Sequence, residues 1–394
     1  MNVAKTGGLI DRRKLLAVGG AMLLAGCKII PGGGVSTSPD PVPTPTPSAN
    51  VPSPLPTDTA RHRVALLVPM SGTNGAVGQS IANATTMALL DTSAESLRIT
   101  TYDTAGGARA AAQRAVAEGN KLILGPLLSE DVGQVLAEAR PANVPLITLS
   151  NDTAVAGPDV FVMGQAPEQS IQRTVDYARS RGSNRFAAIV PEGEYGQRAA
   201  AALRASVITA GGTVGAVETY ARGNTSVVSA ASRLAAKGGY DAVLIADGAR
   251  FAAQAATVLK PRATAGVQLL GTELWSGESE VTRAAGLRGA WFSAMSDARF
   301  KRFSDSYKAR FGGAPYRVST LGYDGVLLAL RIARDWKPGR SFPVARLRDE
   351  GGFLGLDGAF RFGRNGVVER TMEVREVRNG QVVIVDPAPA AFGN

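Results

Sequence analysis

From residue 63 onward, short apolar runs alternate with stretches of helical spacing, and that rhythm limits the possible folds more than any other feature of the chain. "RVALLVP" (63–69), "LRITTYD" (97–103), "KLILGP" (121–126), "VPLITLS" (144–150) and "DVFVMG" (159–164) read as strands. Residues 77–90, 108–118 and 130–140 between them read as helices. Strands written as unbroken apolar runs are buried on both faces, so the sheet is expected to be parallel, with crossover helices covering each side. A second series follows, with helices over 168–181, 196–210, 225–236 and 250–259 and strands over 185–191, 213–220, 241–247 and 267–273. Two doubly wound series in succession predict an α/β protein of two parallel-sheet lobes joined by a hinge, with a cleft between them. Helices over 298–311 and 320–335 are expected to pack back on the first lobe, before the β-rich tail "FRFGRNGVVERTMEVREVRNGQVVIV" returns to the second. Lobe I is therefore expected over 61–163 plus about 294–338, and lobe II over 164–293 plus about 339–390.

The amino-terminal segment reads as an address. Asp11-Arg12-Arg13-Lys14 is a charged flank, Leu15 to Ala25 is an apolar run too short to span a bilayer permanently, and Leu24-Ala25-Gly26-Cys27 follows at once. Those four residues resemble a bacterial lipobox, which implies a signal peptide over 1–26, cleavage before Cys27 and lipidation of Cys27. Lys28 stands where an inner-membrane retention signal places Asp, so the resemblance implies the periplasmic face of the outer membrane. Arg12-Arg13 leaves both general and twin-arginine export open. Cys27 is the only cysteine, so the body is expected to fold without disulfides. Residues 27–60 turn to Pro, Gly, Ser and Thr around "PDPVPTPTPS", a composition that suits an extended tether rather than a core.

Composition removes several function classes. His62 is the only histidine, so histidine triads and ordinary histidine metal sites are out. No Walker A loop, GxSxG elbow or SxxK motif is present. The net charge of +10 is spread along the chain without interleaved aromatics, which gives nucleic-acid binding no support. The chain is expected to be no enzyme and to need no cofactor or metal.

In open α/β sheets, ligands sit beyond the carboxyl ends of the strands, where the next helix has unpaired N–H groups. Ser71, Ser129, Ser150, Asn151 and Asp152 occupy such ends in the first series, and Tyr195, Asp247 and Glu273 in the second. Hydroxyls on one wall facing acids and a phenol on the other suit a small polar solute.

The segments "RVALLVPMSGTNGAVGQSIANATTMAL", "LILGPLLSEDV", "VPLITLSND", "EGEYGQRAAAALRASVITAGG" and "STLGYDGVLLAL" resemble the leucine-binding-protein type of periplasmic binding fold, over nearly all of residues 62–386. With the lipobox and the Pro-rich tether, the chain is also similar to alphaproteobacterial lipoproteins labelled penicillin-binding protein activators. The resemblance implies that Ser129 and Ser150 bind a ligand carboxylate, that Tyr195 is a cleft aromatic and that Glu273 holds a ligand ammonium. Asn151-Asp152 and Asp247-Gly248-Ala249 depart from amino-acid binders, which present small residues at the first place and a second aromatic at the other. Two readings stay open here. One is a lipoprotein docking on a class A penicillin-binding peptidoglycan synthase; the other is a solute receptor handing branched-chain or other amino acids to an ABC permease.

Overall fold

The computed structural model describes residues 60–222, 226–262 and 266–392. Cys27, the signal peptide and the tether lie outside the described residues, as does Thr225, where one helix was expected to begin.

In the first lobe, each apolar run forms a strand and each amphipathic stretch a helix. The order is β1 (His62–Val68), α1 (Gly75–Asp91), β2 (Leu97–Asp103), α2 (Ala108–Ala117), β3 (Leu122–Leu124), α3 (Ser129–Ala139), β4 (Leu146–Thr148) and β5 (Val160–Val162). These strands form one parallel sheet, β2-β1-β3-β4-β5. The inner strands β1 and β3 are apolar on both faces: Val64, Leu66 and Leu124 face one helical layer, and Ala65, Leu67 and Ile123 the other. Burying each large aliphatic side chain contributes about 1.5–3 kcal/mol, which explains the lack of any polar alternation in these strands.

The second lobe repeats the plan with α4 (Pro167–Ser180), β6 (Arg185–Pro191), α5 (Glu194–Thr209), β7 (Thr213–Tyr220), α6 (Ser226–Lys237), β8 (Ala242–Ile245), α7 (Ala249–Arg262), β9 (Gln268–Gly271), α8 (Ser279–Arg283) and β10 (Trp291–Ala294). The chain then returns to the first lobe as α9 (Asp297–Phe311) and α10 (Thr320–Ala333), where Leu321, Val326 and Leu328 join the β1 core. Three strands follow, β11 (Phe353–Gly355), β12 (Gly358–Phe362) and β13 (Val368–Arg370), as a small antiparallel sheet. Finally β14 (Glu373–Arg378) and β15 (Gln381–Asp386) add antiparallel to β10, completing the order β15-β14-β10-β9-β8-β6-β7.

The tail corrects one boundary. Everything after about residue 339 was expected in lobe II. Phe342, Leu347, Phe353, Phe360, Phe362 and Val368 instead pack in the first-lobe core, and Val162 of β5 forms a parallel bridge with Val367. The aromatic residues of β11 and β12 have a large apolar surface to cover, and the face of the first sheet beside Phe161 receives them. Only β14 and β15 join the second sheet.

The two lobes share one local device. A Cβ on Gly78 of α1 would fall 1.7 Å from the carbonyl oxygen of Pro69, and one on Gly196 of α5 would fall 1.7 Å from that of Pro191. Each glycine lets the helix after its lobe's first strand press against the end of that strand, which sets the helix N-terminus on the cleft rim.

Candidate ligand cleft

The lobe II wall is built by three strand ends. Tyr195 sits in the first turn of α5, just beyond β6; its hydroxyl lies 3.1 Å from Thr272 Oγ1 and donates to Glu273 Oε1 at 3.2 Å. Glu273 follows β9 in a short turn capped by Thr272. Part of the residue reaches solvent, but Oε2 is buried with no hydrogen-bond partner. Burial pushes the Glu273 carboxyl from its ordinary value of 4.5 up to about 7. Burial and then the Glu273 charge hold the Tyr195 hydroxyl well above its usual range. Asp247, beyond β8, is buried and already satisfied: it accepts from the Tyr220 hydroxyl, from Arg222 Nε at 2.8 Å and Nη2 at 3.1 Å, and from the Gly248 N–H at 2.8 Å. Trp275 Nε1 donates to the Asp247 carbonyl at 2.9 Å, fixing the β8 end against the β9 end.

The lobe I wall is quieter. Ser150 is buried and its Oγ accepts the Asp152 N–H at 3.1 Å; Asp152 in turn accepts the Ala154 N–H at 2.9 Å. Asn151 is exposed between them. Ser129 is the first residue of α3 rather than its cap, a place taken by Leu128 without a side-chain bond, and Ser129 Oγ reaches only Glu130 Oε2, at 3.5 Å. Ser71, exposed beyond β1, supports Asp103, whose carboxylate is held low first by the Met70 N–H.

Arg198 joins the walls, and sequence reasoning missed it. From α5 it reaches Glu168 at 2.8 and 3.0 Å and donates through Nη2 to the Asn151 carbonyl at 2.7 Å, so a lobe II side chain bonds the lobe I rim. The structure thus brings Tyr195, Asp247 and Glu273 together on one wall and ties Asn151 across to it. Ser71 and Ser129 stand on the lobe I rim without a bond to the opposite lobe.

The sequence also did not single out the bracing of the three chain crossings between the lobes. Arg317 bonds Asp297 at 3.0 Å and Asp357 at 2.8 Å; Arg375 bonds Asp297 at 2.5 Å and Glu373 at 2.7 Å. Arg370 donates from its main chain to Gln169 at 2.9 Å and from Nη2 to the Met163 carbonyl at 3.0 Å. Below the Arg375 cluster lies a cavity of about 430 Å³ lined by Trp275, Phe292, Asp297 and Ile384, outside the cleft. Apart from Glu373, two residues from Arg375, the partners of these arginines lie 20 or more positions away, so chain proximity could not flag them.

A profile of the periplasmic binding protein family matches residues 62–381. The chain belongs to that family. Its lobes, crossings and strand-end rims are the type I periplasmic binding protein fold. An uncharacterized protein of Rickettsia prowazekii is 29% identical over 159 residues, covering 40% of this chain and 43% of that protein, so the match spans less than half of that relative. Among solved structures, a putative branched-chain amino acid ABC transporter protein from Rhodospirillum rubrum superposes with a TM-score of 0.72 at 18% identity, over 82% of this chain and all of that one. The C-domain of LpoA from Haemophilus influenzae, described as a regulator of PBP1A, superposes at 0.67 and 18% identity over 82% and 99%. A leucine binding protein from Thermotoga maritima gives 0.58 and 21% over 82% and 97%. These neighbours are binding proteins and a regulator. Among the described residues, no group of His, Cys, Asp and Glu has the makings of a metal site, and no helix is long and apolar enough to cross a membrane.

Proposed function

We propose that this periplasmic binding protein is a non-enzymatic envelope lipoprotein, anchored through Cys27 to the periplasmic face of the outer membrane, whose two-lobed body docks on and activates a class A penicillin-binding peptidoglycan synthase. The observation that carries this reading is the state of the cleft. Arg198 spans it to the Asn151 carbonyl, and Glu273 is folded under Tyr195 with its free oxygen buried. A receptor that must admit and release solute needs that acid reachable; a body used as a docking unit does not. The fold-level likeness to a regulator of PBP1A supports the same reading.

The test is reconstitution of the full chain with a purified class A synthase. Direct binding and faster glycan-strand polymerisation are expected; no binding and no change in rate would sink the proposal. Cys27→Ser is expected to release the protein from membranes washed at about 0.5 M salt, where charge attraction is screened, and continued attachment there would count against the anchor. One observation favours the receptor reading, namely that Glu273 Oε2 lacks the counter-charge an ammonium brings. Calorimetry against a panel of amino acids separates the two. Heat that Ser129→Ala, Tyr195→Phe and Glu273→Gln abolish belongs to a solute receptor.

A further inference from the structure

We propose that the amino-terminal edge of the first sheet is a docking surface for an anionic phospholipid bilayer, formed by Arg98, Lys121, Arg331, Arg334, Lys337 and Arg340. The inference rests on the proposed Cys27 anchor, but not on the proposed partner or on what the cleft binds.

Between residues 331 and 348 the chain carries Arg331, Arg334, Lys337, Arg340, Arg346 and Arg348 against a single acid, Asp335, which Arg346 pairs at 3.1 Å. The first four are exposed. Arg331 and Arg334 stand in and just past the last turn of α10, where cations suit the helix dipole, so their presence alone needs no partner. Lys337 and Arg340 lie beyond the helix and have no such role. The turn carrying them is pinned in place: Trp336 stacks on His62 with ring centroids 4.2 Å apart and donates from Nε1 to the Arg340 carbonyl at 2.8 Å. His62 opens β1, so these cations lie at the edge where β1, β2 and β3 begin.

That edge is itself basic. Arg98 is in register with Arg63 on the adjacent parallel strand, and the Lys121 N–H bonds the Arg63 carbonyl at 2.9 Å. Arg63 is engaged within the fold, donating through Nη1 to the Glu118 carbonyl at 2.7 Å. The acids beside them are few. Glu95 and Glu118 border the strand ends, and Glu118 accepts the Tyr102 hydroxyl at 2.6 Å. The rim therefore keeps an excess of positive charge.

A bilayer is the occupant these positions favour. The described chain begins at Ala60, on this edge, and the residues before it lead back to the apolar run and to Cys27. A surface whose cations surround the point where an anchored chain enters meets headgroups at high local concentration, so modest attraction per residue is enough. Docking by this edge leaves the opposite, carboxyl-end rim with Ser71, Ser129 and Ser150 facing away from the membrane.

The test compares binding of the full-chain protein to neutral phosphatidylcholine vesicles and to vesicles with about 30 mol% phosphatidylglycerol; the amino-terminal segment, whose own bases also favour the anionic vesicles, is common to wild type and variants. Wild type is expected to partition about tenfold or more in favour of the anionic vesicles at about 0.1 M salt, and to lose that preference by about 0.5 M. Arg334→Glu/Lys337→Glu/Arg340→Glu is expected to lose most of the preference with an unchanged thermal melt; if it fails to fold, the three Gln substitutions replace it. Lys301→Glu/Arg302→Glu, on exposed α9 positions, is expected to keep it. Three results overturn the proposal: equal binding of wild type to both vesicles, an equal loss in the α9 variant, or binding of a soluble anionic polymer through this rim with no vesicle preference.

Discussion

Glu273 shows what a residue's environment adds to its identity. The sequence places an acid beyond a strand end, and the structure buries its carboxyl beneath Tyr195 with one oxygen unpartnered. Between about pH 4.5 and 7 a carboxyl raised to about 7 from 4.5 is protonated in the folded protein while the unfolded chain has already ionised. The folded state then binds more protons, so this group's contribution to stability is fully present below pH 4.5 and is lost as pH rises through about 7. Buried Asp324, raised by burial and then by Asp357, adds a contribution of the same sign. Glu273→Gln is expected to flatten part of that slope and to stabilise the protein at pH 8 by on the order of 2–3 kcal/mol, seen in urea unfolding across pH. An unchanged slope would mean that the carboxyl is ionised and solvated. At this scale the residue types on the rims were legible, because strand ends can be read from apolar runs. Arg198 was not, since its Asn151 partner is 47 positions away and an arginine one turn into a helix usually faces water.

The alternation of strands and helices was legible because each element is fixed by its own periodicity. Partners are not. The aromatic strands β11 and β12 carry an apolar face that either sheet could have taken, and only the packing beside Phe161 decides for lobe I. Nor could periodicity show that Gly78 and Gly196 are contact points rather than helix weaknesses. Adding one methyl at Gly196 puts it 1.7 Å from the Pro191 carbonyl, so α5 has to shift and carry Tyr195 and Arg198 with it. Gly196→Ala is expected to cost about 1–3 kcal/mol in denaturant unfolding and to speed amide exchange in the first turn of α5. Stability equal to wild type would show that the helix has room to spare.

Across the whole molecule, Asp297, Arg317, Asp357, Glu373 and Arg375, scattered in the sequence, gather where the lobes meet. Arg375 is the most committed of them, buried between Glu373 and Asp297 and donating at 2.6 Å to the Met295 carbonyl. Arg375→Met leaves Glu373 buried without its partner, and a loss of about 3–5 kcal/mol in equilibrium unfolding is expected. A loss below about 1 kcal/mol would mean the pair is solvated. These braces hold the crossings, and Arg198 adds a link beside the first of them: Asn151 lies against Gly164, and Glu168 stands in the first turn of α4. Its bond to Asn151 is the one contact described here that an opening motion must break at the rim. Arg198 is 17% exposed and Glu168 33%, so little folding stability rides on the pair, and Arg198→Ala is expected to lower the melting temperature only slightly. Its effect should appear in shape instead: a larger radius of gyration by X-ray scattering and faster amide exchange over residues 150–155, with the exchange of the β1 and β6 cores unchanged. Scattering curves that superpose on wild type would show that the ionic braces alone keep the lobes together, and Arg198 would then be a passenger on a hinge already locked.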